Sequence, residues 1–397
     1  MASKSFLIAA LALFAASAAP LPIAAAADGD AGLTRLELLG KRIFEDKSLS
    51  RPQGVACASC HEPARAFTGN NGSPVAAFAR GSRPDALGSR NAPTIMYSSF
   101  SPPFSFVTEK NARTRKMETK ATGGQFLDGR ANDLLAQAEG PLLNPVEMNS
   151  PSKAAVVEDV RKGPYAALAR EVYGDGVFDD PAAFEKLAKA IVAFENSERF
   201  HPFASKFDDV LRGKDRFTPL EKQGFALFRN PRKGNCLACH VGEGKSHDPK
   251  DWLFTDFTYD SLGAPKNPSS PAKEPDLGLC RQPGLEKHLP KGIAADSLCG
   301  AFRVPTLRNI AVTGPYLHNG VFDRLRDVVA FYATRDTDPG RWYKNGKFDD
   351  LPAAFHGNVN VEEVPYDRKP GQKPRLDEAE IDAIVAFLGT LTDREAR

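Results

Sequence analysis

A pentapeptide occurs twice in this chain, as Cys57-Ala58-Ser59-Cys60-His61 and again as Cys236-Leu237-Ala238-Cys239-His240. Cys-x-x-Cys-His is the pattern of covalent c-type haem attachment, in which two thiols add to the porphyrin vinyl groups and the adjacent imidazole becomes an axial iron ligand. One copy could equally be a redox or zinc dithiol, and two stray disulfides or a split zinc site compete for the pair. Two copies, each with His directly after the second Cys, favour two covalently bound haem c groups, ligated by His61 and His240. A chain so built has to wrap itself around two large, flat cofactors.

Its 397 residues have room for two domains, each able to bury its own core. Apolar content of 42% and charged content of 26% are those of a soluble globular protein. The formal charge is +2, and Lys4 is the sole charged residue among the first 27, so removing that segment leaves a nearly neutral chain. Nothing in that balance draws a polyanion, and nucleic acid is not an expected partner.

Residues 1–27 read as a signal peptide: Lys4 as the positive region, Phe6 to Ala19 as the apolar stretch, and Ala25-Ala26-Ala27 as the cleavage site before Asp28. Pro20 and Pro22 interrupt the apolar run short of the ~20 residues that span a bilayer, which disfavours an uncleaved anchor helix. No membrane span is expected after cleavage. Export agrees with c-type haem attachment, which takes place outside the cytoplasm, and places the protein in the periplasm of a Gram-negative cell. Of six cysteines, Cys280 and Cys299 lie outside the haem motifs and flank a loop bearing Pro and Gly. In an oxidising compartment a disulfide between them is expected, with free thiols or metal ligation as the alternative.

The domain-sized spacing of the two motifs is matched by other repeats. Gly40-Lys41-Arg42-Ile43-Phe44 precedes the first motif as Gly224-Phe225-Ala226-Leu227-Phe228 precedes the second. Arg90-Asn91-Ala92-Pro93-Thr94-Ile95 and Arg303-Val304-Pro305-Thr306-Leu307 read as one turn written twice, and Gly129 with Leu134 is echoed by Gly320 with Leu325. Ala190-Ile191-Val192-Ala193-Phe194 is identical to Ala383-Ile384-Val385-Ala386-Phe387. Their common order points to tandem duplication. The repeated elements have helical signatures. Ile381, Ile384, Val385 and Leu388 share one face behind an Asp377/Glu380 capping box, and Thr218-Pro219-Leu220-Glu221 combines a capping Thr, Pro at the first helical position and Glu at the third. No alternating run long enough for a sheet stands out. The expected fold is mostly α: two tandem c-type cytochrome domains, 28–205 and 206–397, related by duplication, with long loops around the haems such as 244–300.

The ligand on the far side of each iron sets its chemistry: a second strong ligand makes an electron-transfer haem, and an open face one that can bind peroxide. The methionines are Met1, Met96, Met117 and Met148, none after the second motif, and no His lies between His61 and His201. The first haem thus has no nearby imidazole to close it.

Further motifs make the chain resemble the bacterial di-haem cytochrome c peroxidases and their MauG-like relatives along essentially all of 28–397. They are Arg90-Asn91-Ala92-Pro93-Thr94, Phe126-Leu127-Asp128-Gly129-Arg130-Ala131, Asn144-Pro145-Val146-Glu147-Met148, and Pro305-Thr306-Leu307-Arg308-Asn309 leading to Pro315-Tyr316-Leu317-His318-Asn319-Gly320. The resemblance implies a peroxide site at the N-terminal haem and an electron store at the C-terminal one. It implies that Glu147 is the distal acid–base carboxylate, with Gln137 and Pro141 at the other distal positions. On the residue alone, Glu147 would be an ordinary surface carboxylate. The resemblance also puts Tyr332 where the peroxidases present a Met to the second iron and MauG-like enzymes present a Tyr. An anionic phenolate stabilises the higher oxidation states of iron better than a thioether does, which implies a low-potential haem. The competing assignment makes Tyr332 a core residue and His318 or Tyr316 the ligand. Asn91, with the carbonyls of Thr313 and Pro315, matches the family's Ca2+ ligands, a hard-oxygen set suited to that ion.

Two departures stand out. Leu127 replaces a Trp found between the haems in relatives, and an aliphatic side chain cannot be an oxidisable relay. Arg229 to Asn235 also lacks the Trp through which the methylamine-utilisation enzyme oxidises its protein substrate. The only tryptophans are Trp252 and Trp342, for which packing is the default role. Three functions are in view: an H2O2-dependent MauG-like oxidoreductase acting on a protein side chain or small donor, a cytochrome c peroxidase drawing electrons from a small cytochrome, and a non-enzymatic di-haem electron carrier.

Overall fold

The computed structural model describes residues 30–110, 115–242 and 246–396. The segment read as a signal peptide lies outside the described residues. The first half contains α1 (Arg35–Glu45), the single turn α2 (Cys57–Cys60), strands β1 (Phe78–Arg80), β2 (Leu87–Asn91), β3 (Ser105–Lys110) and β4 (Met117–Thr122), then α3 (Leu134–Leu143), α4 (Lys153–Lys162), α5 (Ala166–Tyr173) and α6 (Ala183–Glu195). The second half contains α7 (Lys206–Leu211), α8 (Pro219–Arg229), the two-residue strands β5 (Tyr259–Asp260) and β6 (Phe302–Arg303), α9 (Leu325–Thr334) and α10 (Glu378–Gly389). The strands pair antiparallel as β1–β2, β3–β4 and β5–β6.

The helices begin where the sequence offers caps. Thr34 with Glu37, Thr218 with Glu221, and Asp377 with Glu380 form capping boxes at α1, α8 and α10, each satisfying backbone N–H groups that a first turn leaves free. α1 then packs on α6, and α8 on α10. A Cβ at Gly40 would come 1.8 Å from the Ala190 carbonyl oxygen, and one at Gly224 1.9 Å from that of Ala383. Each helix pair therefore crosses at a backbone contact that any side chain would prise apart. Leu39, Ile43, Phe44, Leu187, Ile191 and Phe194 fill the first crossing; Leu227, Phe228, Ile381, Ile384 and Phe387 fill the second. Each such side chain contributes about 1.5–3 kcal/mol on burial.

The loops after the haem motifs are held alike. Phe67 and Phe254 both take left-handed backbone at φ +55°, a strained choice for a bulky residue. Thr94 donates its hydroxyl to the Ala66 carbonyl at 2.5 Å, and Thr306 donates to that of Leu253 at 2.6 Å. The halves are tied by a buried polar group. Tyr97 and Asn309 both donate to Asp393 (2.8 and 2.9 Å), while Arg308 pairs with Asp208 at 2.9 Å, its guanidinium over the rings of Tyr97 and Phe203. The last residues cross back, and Ala396 packs in the first core.

The β3–β4 hairpin corrects the expectation that no sheet would form. Its strands are six residues each, and β3, Ser-Phe-Val-Thr-Glu-Lys, is exposed at all but Phe106. Only the Phe106–Ala121 pair packs into a core, too little to impose the alternation that makes a strand legible. Between β5 and β6 the chain runs in loops and single turns, closed by a Cys280–Cys299 disulfide (S–S 2.05 Å). Among the described residues no helix is long and apolar enough to cross a membrane.

Candidate haem sites

Each haem motif folds as one tight turn. His61 donates its backbone N–H to the Cys57 carbonyl and His240 donates to that of Cys236, both at 2.9 Å. Nδ1 of His61 lies 3.0 Å from the Phe67 carbonyl oxygen, and Nδ1 of His240 lies 3.0 Å from that of Phe254. The strained phenylalanines thus aim their carbonyls at the imidazoles. A bond at Nδ1 fixes the tautomer and leaves Nε2 with its lone pair free for a metal. Burial lowers both imidazole pKa values, that of His240 to about 4, keeping each ring a neutral base. Burial likewise pushes the thiols of Cys60 and Cys236 up to about 12, Glu147 and Glu62 adding to the effect at Cys60.

Around the second motif lies a largely apolar cavity lined by Cys236, Cys239, His240, Tyr332, Leu127 and Arg303, among others. Arg303 is a site residue that the sequence reading missed, although it stands in the repeated turn. Its Nη1 donates to Ser101 Oγ and the Gly124 carbonyl, its backbone N–H donates to the Leu127 carbonyl at 2.8 Å, and its Nε has no partner. A buried guanidinium N–H left open beside an apolar cavity fits the propionate of a haem. The residues present therefore suit the group.

Tyr332 stands on α9 and borders this cavity. Burial raises its phenol pKa well above the ordinary value, with Asp260, Cys239 and Cys236 adding and Arg335 opposing. The other two aromatic candidates border the same cavity, and His318 Nε2 has no hydrogen-bond partner among the described residues. Tyr316 donates its hydroxyl to the Ile310 carbonyl at 3.0 Å, and His318 stacks on Phe302 with ring centroids 3.8 Å apart, its Nε2 3.2 Å from Asp350 Oδ2.

On α3, Gln137 and Pro141 are one turn apart. Proline has no N–H, so the Gln137 carbonyl lacks its helical donor. After α3 the chain turns back, Glu147 donating its N–H to the Asn144 carbonyl at 3.0 Å, and the Glu147 side chain ends half-buried. Burial raises its carboxyl pKa, opposed by Arg130 and a hydrogen bond with Asn144. Glu147 is near enough to both Cys57 and Cys60 to raise their thiol pKa values.

Met96 receives a hydrogen bond at its sulfur from Asn309 (3.2 Å), Met148 lies in the first core, and Met117 is 64% exposed on the hairpin. The side-chain Nδ2 of Asn91 lies 2.5 Å from the Pro315 carbonyl oxygen, and the Thr313 hydroxyl turns away to the Ile310 carbonyl.

A pair of partly buried Cys-x-x-Cys-His turns with oriented imidazoles, one opening on an apolar cavity, defines a di-haem c-type protein. Residues 34–216 match the family described as di-haem cytochrome c peroxidase. The chain is 38% identical to the methylamine utilization protein MauG of Paracoccus denitrificans over 390 residues, 95% of this chain and 94% of that protein. It is 30% identical to the cytochrome c551 peroxidase of Nitrosomonas europaea over 294 residues, 73% of this chain and 70% of that one. The crystal structure of the diheme peroxidase BthA from Burkholderia thailandensis superposes with a TM-score of 0.82 at 41% identity, covering 91% of this chain and 86% of that chain. A MauG-like protein associated with microbial copper homeostasis superposes with a TM-score of 0.64 at 25% identity, covering 91% and 90%. The chain belongs to the di-haem cytochrome c peroxidase and MauG family, and is an oxidoreductase with haem c as its cofactor.

Proposed function

We propose that this protein is a periplasmic, H2O2-dependent di-haem oxidoreductase of the MauG-like kind, built from two duplicated cytochrome domains. Bound haem supplies an iron that can take up peroxide and exchange electrons. His61 would hold the iron of the first haem, with Glu147, Gln137 and Pro141 on the open side. Glu147 takes the proton from the nearer peroxide oxygen and returns it to the leaving one, and its raised pKa suits a group that must both accept and donate. His240 and Tyr332 would hold the second iron, whose chemistry there would be the storage of oxidising equivalents for exchange with a small cytochrome or a protein side chain. The observation that carries the MauG-like assignment is Tyr332 at the wall of the cavity that also holds His240, where the neighbouring Tyr316 gives its hydroxyl to the Ile310 carbonyl.

Mixing the purified di-haem protein with H2O2 in a stopped-flow spectrometer tests this. Rapid spectral change at both haems is expected, and a peroxide-inert protein would refute it. The second reading, a cytochrome c peroxidase, draws on the likeness to the Nitrosomonas europaea enzyme. Rapid turnover with a reduced small cytochrome at near-diffusional efficiency would favour it. For Ca2+, the three expected ligands rest on the family resemblance, and in the structure Asn91 Nδ2 donates a hydrogen bond to the Pro315 carbonyl at 2.5 Å. Metal analysis before and after chelator dialysis checks that site.

A further inference from the structure

The last residue of α6 is a buried acid with no part in the chemistry assigned to Glu147 and Tyr332. Glu195 is 4% exposed, and its Oε2 has no hydrogen-bond partner. Cys57 packs against the core to which α6 contributes Ile191 and Phe194, and Glu195 raises the pKa of that thiol.

The second half of the chain supplies an internal control. Ala190 to Phe194 is identical to Ala383 to Phe387, so Glu195 stands where the other half has Leu388. Leu388 is an ordinary member of the second apolar core. Packing at this position is therefore satisfied by leucine, and a buried carboxyl with Oε2 unpartnered in its place is a cost that packing does not explain. The acid occurs at the haem assigned to peroxide and not at the one assigned to electron storage.

Charged groups on the elements packed against α6 are engaged elsewhere. On α1, Lys41 and Arg42 pair with Asp30 and also approach Glu45. Lys153 of α4 pairs with Glu139 of α3, while Arg161 and Lys162 of α4 pair with Glu158, and Arg161 also with Asp179. Burial is accordingly the cause that pushes the Glu195 carboxyl up to about 8, so that it carries its proton at neutral pH.

We propose that Glu195 is a proton-supplying residue of the first haem site, a buried acid that delivers protons consumed when peroxide is reduced. This rests on the H2O2-dependent reaction proposed for the first haem, common to both readings of the function. Reducing one H2O2 to two waters takes two electrons, from the one-electron donor, and two protons. Glu147 moves a proton already on the peroxide from one oxygen to the other, so the two net protons come from elsewhere. Glu195 releases its carboxyl proton toward the site and is reprotonated from solvent.

The test uses the di-haem holoenzyme with H2O2 and tetramethylphenylenediamine as reductant, comparing wild type, Glu195→Gln and Glu195→Leu. Both variants are expected to lose about 10²-fold in turnover at pH 7. They should also lose the alkaline fall-off near pH 8 expected of wild type, with haem content and electron paramagnetic resonance spectra preserved and Tm not lowered. Independently of activity, infrared spectra of wild type at pH 7 should contain a protonated carboxyl band that is missing from both variants. Turnover and pH profile matching wild type in both variants, or no such band assignable to Glu195, would overturn the proposal. A wild type that reacts with H2O2 while the variants match it sinks this inference alone; a wild type inert to H2O2 sinks the H2O2-dependent reaction and this inference with it.

Discussion

Tyr332 and Tyr366 stand side by side at the second haem cavity, their ring centroids 6.0 Å apart, and the Tyr366 hydroxyl lies 3.4 Å from Asp260 Oδ2. Arg335 lies over the Tyr366 ring at 4.6 Å. The proposed axial phenol is thus flanked by a second phenol, a carboxylate and a guanidinium, none of which occupies its oxygen through a hydrogen bond in the structure.

An anionic oxygen donor stabilises ferric iron against reduction, whereas a thioether favours the ferrous state. Tyr332→Met should therefore raise the midpoint potential of the second haem by on the order of 0.1 V or more, within the range axial ligands command. Spectroelectrochemical titration of both haems measures this, and an unmoved potential would exclude Tyr332 as ligand.

Glu147→Gln removes the group that can carry a proton between peroxide oxygens while keeping its size. The rate of reaction with H2O2 should fall by about 10²–10⁴-fold, with the absorption spectrum of the ferric protein unchanged. Stopped-flow mixing over a range of peroxide concentrations separates a loss of chemistry from a loss of binding.

Leu127 borders the second cavity, and its carbonyl accepts from the Arg303 N–H at 2.8 Å. Leu127→Trp would place an oxidisable ring at that junction. The oxidation of the second haem that follows peroxide addition should become faster, as followed at its own absorption bands. An unchanged or slower rate would mean that charge crosses by a route that does not use this position.

Much of this was readable because the informative signals are local. A capping box acts over four residues, so Thr218 and Asp377 announce α8 and α10 without any knowledge of the fold. The identity of 190–194 with 383–387 anticipates two helix crossings built on the same backbone contact. Long-range features were not readable in that way. The hairpin buries only its Phe106–Ala121 end, and the Asp393 cluster joins residues from opposite ends of the chain. Nothing local to Glu195, an acid at a helix end, marks it as buried. The signal that could have exposed it was present, since the repeat sets it opposite Leu388, but an alignment of two segments shows a difference without showing burial.

Glu195 also makes a prediction about stability. Its pKa in the folded protein is about 8, against an unfolded value of about 4.3. The folded state keeps a proton that the unfolded chain releases, so stability should fall as pH rises from about 4.3 to about 8 and then level off. Each tenfold difference in proton affinity between the two states corresponds to about 1.4 kcal/mol. Glu195→Leu should lack this slope, so its advantage over wild type in denaturant unfolding should widen from pH 5 to pH 9. A constant difference would show that the carboxyl is not neutral in the fold.

The division of labour between the two haems is tested most directly by electron paramagnetic resonance of the ferric holoenzyme, alone and as Tyr332→Phe. One high-spin and one low-spin signal are predicted in the wild type, with the low-spin signal converted in the variant. Two low-spin haems in a protein unreactive toward H2O2, or a low-spin signal that survives Tyr332→Phe, would contradict it.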